Sequence, residues 1–117
     1  MISAFQSAIS GLHAAGTRIS SSSNNIANAN TNGYKRTRVI SESANPQGVK
    51  TRVEQVDTPG TTVFQEGEHG LDIVELSNVD LGREIPEAYL SSHMYKANLK
   101  TIETSSDMLT SLLKIKS

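Results

Sequence analysis

From the first turn of the chain, apolar or small residues recur in alternating steps of three and four: Ile2, Phe5, Ile9, Leu12, Gly16, Ile19, Ser23 and Ile26. This stepping is the seam of a helix built to lie along another helix. It returns at the far end, at Tyr95, Leu99, Ile102, Ser106, Leu109, Leu113 and Lys116, with Met94, Met108 and Leu112 widening the stripe. Gly11, Gly16 and the serine run 20–23 oppose helix by up to ~1 kcal/mol per position. The first helix is therefore marginal alone and calls for a partner. At ~1.5 Å per residue, a helix of about 28 residues spans ~40 Å, longer than a small compact domain favours.

Asn30-Thr31-Asn32-Gly33 stops the first pattern. Asn and Gly tolerate left-handed backbone angles, and Gly is common just past a helix end. Asn32-Gly33 alone also suits a tight hairpin turn, but its place after a helical pattern favours a helix exit, with Asn30, Asn32, Gly33 and Tyr34 as the exit motif. Residues 34–48 read as extended or irregular, because Pro46 and Gly48 forbid a long helix. Val49, Thr51 and Val53 alternate with Lys50, Arg52 and Glu54, the pattern of a half-exposed strand. Thr58-Pro59-Gly60-Thr61 signals a turn, and 62–64 and 71–76 are weaker extended candidates. The second helix is expected to begin near Pro86, a residue suited to a first helical turn.

The expected fold is mainly α: long N- and C-terminal helices pairing as a coiled coil, with a short extended or β-rich insert between them. Its segments are 1–33 (N-terminal helix), 34–79 (insert) and 80–117 (C-terminal helix). Ile9, Leu12, Ile19 and Ile26, with Leu99, Ile102, Leu109 and Leu113, are the candidate interface residues.

Composition narrows the chemistry. Of 117 residues 36% are hydrophobic and 4% aromatic, with no Trp, so few bulky groups offset the entropy of ordering the chain. A net charge of −1 creates no strong field toward nucleic acid or an anionic membrane. The absence of cysteine removes disulfides, thiolate metal sites and a Cys nucleophile. The N-terminus lacks the pattern of a secretory signal, and no stretch approaches the ~20 apolar residues of a membrane span.

Glu66-Gly67-Glu68-His69 offers metal donors, yet no second donor set has metal-site spacing, so a solvated turn is expected. His13, His69 and His93 are far apart, and no serine occupies a Gly-x-Ser-x-Gly elbow. Neither catalysis, a cofactor nor a metal is expected. Lys35, Arg36 and Arg38 beside Tyr34 are the one basic cluster, more in keeping with a solvated strand or acidic contacts than with phosphate binding.

The stretch 23–36, Ser-Asn-Asn-Ile-Ala-Asn-Ala-Asn-Thr-Asn-Gly-Tyr-Lys-Arg, resembles the N-terminal signature of the bacterial flagellar rod and hook proteins, as does 7–12 upstream. Ser77-Asn78-Val79-Asp80-Leu81, the run 95–104 and the leucines after Asp107 are similar to that family's C-terminal region. The brevity of the insert resembles the proximal rod subunits. Gly82-Arg83, Pro86 and Ser91-Ser92-His93 depart from the family pattern near the start of the second helix. The resemblance implies an axial structural subunit, exported by the flagellar type III apparatus, with copies of itself and other rod subunits as partners. It places such a subunit in the basal-body rod across the periplasm. A soluble coiled-coil adaptor or export chaperone shares the heptads but gives no reason for two terminal motifs.

Overall fold

The computed structural model describes residues 2–116. Two helices, α1 (Ile2–Ala27) and α2 (Leu81–Lys116), are joined by β1 (Thr37–Ser43), β2 (Val49–Gln55), β3 (Thr62–Gly67) and β4 (Gly70–Glu75). The outermost residues of the two expected helical segments, 1 and 117, lie outside the described residues. The molecule measures 81 × 24 × 19 Å, with a radius of gyration of 20.8 Å. A compact domain of this length would have about 13 Å. It exposes 8164 Å², where a compact monomer of its mass would expose roughly 6,200 Å².

The helices run antiparallel. Gly11 lies against Asn98, Gly16 against Tyr95, and Arg18 Nη1 donates to Glu87 Oε1 at 2.9 Å. Ala8, Ala15 and Ser22, spaced by sevens, are buried on α1. On α2 the buried residues are Glu84, Ser91 and Ser105, in register by sevens with half-buried Asn98. A side-chain Cβ at Gly11 would come within 2.7 Å of Asn98 Oδ1, so glycine here permits the close approach. Small residues bring the backbones together, and the only buried apolar side chains among the described residues are Ala8, Ala14 and Ala15.

The β1–β2 hairpin covers the next face of α1. Val49 N donates to Ser10 Oγ at 3.1 Å, Gln47 Nε2 to Gln6 Oε1 at 2.7 Å, and the Ser21 and Thr37 hydroxyls lie 2.7 Å apart. Arg18, on the border of the two faces, also donates from Nη2 to Ser41 Oγ at 2.9 Å. The β3–β4 hairpin is different: neither helix nor either of the other strands packs against it.

The mainly α description, a coiled coil around a short insert, is corrected by this structure. Helix accounts for 54% of the residues and strand for 23%, and the insert is two complete antiparallel hairpins in an extended molecule. Segment 37–43, within the stretch read as extended or irregular, is a strand that pairs along its whole length with 49–55, joining Val39 to Val53. Pro46 and Gly48 fall in the connecting loop and do not interrupt a strand. The helix seam also differs from the coiled-coil pattern: its buried positions lie one residue before the large apolar stripe of α1, at Ala8, Ala15, Ser22 and Asn25. Close approach through small side chains displaces bulky knobs to the flanks. Finally, α2 starts five residues before Pro86. Asp80 caps it, its Oδ1 accepting Gly82 N and its carbonyl accepting Arg83 N and Glu84 N, all at 3.0 Å. Pro86 lies inside the helix and leaves the Gly82 carbonyl without its usual i+4 donor.

Candidate assembly interface

The segment from Tyr34 to Arg38 is held from two sides by asparagine. Asn25, at the last turn of α1 and 1% exposed, donates from Nδ2 to the Thr37 carbonyl at 2.7 Å and accepts the Thr37 amide at 2.9 Å. Its Oδ1 also accepts the Tyr34 hydroxyl at 3.0 Å. From the segment before α2, Asn78 Oδ1 accepts the Arg36 amide at 2.6 Å. Asn78 Nδ2 donates to the carbonyls of Val56 at 2.8 Å and Thr58 at 2.9 Å. Two backbone bonds complete the junction, Val56 N to Arg36 O at 2.9 Å and Asn78 N to Tyr34 O at 3.2 Å. Both side chains thus do what a neighbouring strand would do for buried peptide groups.

Glu75 closes the junction on the β4 side. It forms an ion pair with Lys35, accepts Gly60 N at 3.0 Å through its side chain, and accepts Gly33 N at 2.9 Å through its carbonyl. The Lys35 hydrogen bond, then the Gly60 amide, hold its carboxyl below the ordinary glutamate range. Burial, and secondarily the negative charge of Glu84, push the Tyr34 phenol above its ordinary value.

The exit residues lie as follows. Regular helix ends at Ala27, the turn runs through Gly33, and Gly33 has φ +73°, a left-handed conformation that suits glycine. Asn30, Asn32 and Gly33 are exposed, whereas Tyr34 is half-buried on Asn25. Ile9, Leu12, Ile19, Ile26 and Ile102 are half-buried along the flanks of the helix pair. Leu99, Leu109 and Leu113 are exposed, at 45%, 39% and 68%. The structure therefore does not gather the two large apolar stripes into one intramolecular core.

Since Gly11 faces Asn98 in antiparallel register, Ile2 is level with about residue 107. Residues 106–116 of α2 are exposed throughout, Met108, Leu112 and Ile115 among them, and those from about 108 onward run past Ile2. A groove of about 550 Å³ lies open over α1, floored by Leu12, Gly16 and Ser20 and walled by Tyr95 and Val53.

The residues that sequence reading missed are Asn25, Asn78, Ser91 and Glu84. A seven-residue repeat of small or polar positions, 8-15-22 and 84-91-98-105, was the signal available for the seam. Among the described residues no three His, Asp or Glu side chains gather where they could share a metal ion, and no helix is long and apolar enough to cross a membrane.

Residues 5–35 match the family model described as Flagella basal body rod protein. The match covers α1 and the helix exit as far as Lys35, and leaves both hairpins and α2 outside it. It supports a structural role in the flagellar basal-body rod, the family being a structural component and not an enzyme family. No curated protein matches the chain significantly.

Proposed function

We propose that this chain is a subunit of the proximal rod, of the C-type, exported by the flagellar type III apparatus and polymerised through its terminal helices into the torque-transmitting drive shaft. The observation that carries the reading is the overhang of α2: about two and a half turns past Ile2, with Met108, Leu109, Leu112 and Ile115 in solvent. A stripe of that size, set on a molecule whose buried apolar residues are all alanines among those described, fits a helix completed by neighbours. Heterologous contacts of this kind build open helical filaments. In this reading 1–33 and 80–117 form the axial core and 34–79 the outer insert. Ile9, Leu12, Ile19 and Ile26, with Leu99, Ile102, Leu109 and Leu113, then face other rod subunits and copies of the same chain. The subunit works in the rod across the periplasmic space, needs no cofactor, and transmits torque by being stiff when packed.

The match over α1 and the second signature around Asn78 support this reading above that of a cytoplasmic adaptor or export chaperone. Fractionation tests it. The chain should copurify with detergent-resistant basal bodies, and Ile26→Asp should be exported yet fail to assemble, because an acid in a packed seam is costly. A wild-type chain recovered wholly in the soluble fraction removes the rod role.

A further inference from the structure

The two hairpins carry opposite charge, and their strands do not touch within the chain; the Lys35–Glu75 ion pair joins the two segments only at the junction. Residues 56–76 hold Asp57, Glu66, Glu68, Asp72 and Glu75 and neither Lys nor Arg. Residues 34–55 hold Lys35, Arg36, Arg38, Lys50 and Arg52 against Glu42 and Glu54. No contact joins the strands of one hairpin to those of the other.

The acidic hairpin is also the least covered element. Its register pairs Phe64 with Ile73 and Glu66 with Leu71, which puts Phe64, Ile73 and Leu71 on one face. Their exposures are 73%, 69% and 73%. The face ends in Glu66 toward the tip, with Glu68 in the turn beyond it, and neither carboxylate forms an ion pair among the described residues. An apolar centre with a charged rim is the anatomy of an interface. A lone two-stranded hairpin is marginal in water until something covers it.

The basic hairpin offers the matching surface. One face lies on α1; the opposite face carries Arg38, Ile40, Lys50 and Arg52 with Glu42 and Glu54. Arg38 and Arg52 pair with those carboxylates, whereas Lys50 makes no ion pair among the described residues. We infer that the acidic β3–β4 hairpin of one molecule docks on the basic solvent face of β1–β2 of a second copy of this chain. The apolar face supplies burial, and the charges fix which hairpin meets which. Donor and acceptor surfaces differ, so the contact is heterologous and repeats from copy to copy.

The natural absence of cysteine makes the test direct. Full-length Ile73→Cys and Lys50→Cys chains are mixed at about 100 µM and treated with a short bismaleimide. The expected result is a crosslinked heterodimer, formed several-fold more than between Ile73→Cys and Tyr89→Cys, whose site is an exposed position on α2. Raising salt from 50 to 500 mM should lower that yield several-fold, as exposed charges are screened. Glu66→Lys with Glu68→Lys should abolish it, and circular dichroism should show the same fold. Equal yields with Lys50→Cys and Tyr89→Cys, or a yield indifferent to both salt and charge reversal, overturn the contact. A hairpin captured only by a different rod protein overturns the second copy as its partner. The crosslink is read on the purified chain and the rod role on basal bodies, so either can fail alone.

Discussion

Asn25 treats Thr37 as a neighbouring strand would, accepting its amide at 2.9 Å and donating to its carbonyl at 2.7 Å. A side chain in the last turn of a helix thereby makes the first rung of β1. Because Asn25 is 1% exposed, water cannot easily replace either bond.

Asn25→Asp keeps the size and the acceptor but turns the donor into a second acceptor facing the Thr37 carbonyl. Asn25→Ala removes both and also strands the Tyr34 hydroxyl. Each should lower the unfolding free energy by roughly 1–3 kcal/mol, as expected when buried backbone groups lose their partners. Urea titration of the purified variants measures this; a change within about 0.5 kcal/mol of wild type, the range of an ordinary surface change, would show the clamp to be dispensable.

Gly11 and Asn98 should behave as a coupled pair. Alanine is favoured over glycine inside a helix by about 1 kcal/mol, but its Cβ would meet the Asn98 amide group at 2.7–3.0 Å. Gly11→Ala should therefore fail to stabilise the wild-type chain, yet stabilise an Asn98→Ala chain by about 1 kcal/mol. A double-mutant cycle with no interaction energy would dismiss the close approach.

Acid should loosen the base of the β3–β4 hairpin. Glu75 titrates below its ordinary range because Lys35 and the Gly60 amide favour its ionised form. A lowered folded-state pKa gives a contribution that is complete above the ordinary glutamate range, about pH 4.3, and lost as pH falls through the lower folded value. Amide exchange at Gly60, which bonds the Glu75 side chain, should accelerate in that window relative to Val56. Glu75→Gln should flatten the difference; an identical pH response in the variant would assign it elsewhere.

The overhang should separate folding from assembly. Ile115 is 82% exposed, so Ile115→Glu should leave the dichroism and melting of the isolated chain within error of wild type. Its recovery in basal bodies should fall several-fold. Unchanged recovery would remove the end of α2 from the interface.

Both helices were legible because their periodicity is sustained; their contact was not. The stripe Ile9-Leu12-Ile19-Ile26 draws the eye as the seam, but the chain pairs through Ala8, Ala15 and Ser22 and leaves the larger residues at the flanks. Hydrophobic patterning finds what can be buried and does not say by which neighbour. The strand 49–55 was legible from its alternation, while its partner 37–43, lacking a clean alternation, was legible only as extended or irregular chain. Asn25 and Asn78 were invisible as structural residues, since an asparagine that mimics a strand edge reads in sequence like one that faces water.

The two clamps grip adjacent residues from distant parts of the chain. Asn25 reaches 12 positions to Thr37, and Asn78 reaches back 42 positions to Arg36. The Asn25 grip closes a short loop, whereas the Asn78 grip closes one more than three times as long. Loop closure of that length makes the second grip the slower step. The junction at the root of both hairpins is therefore complete only when the segment entering α2 has come back to the one leaving α1.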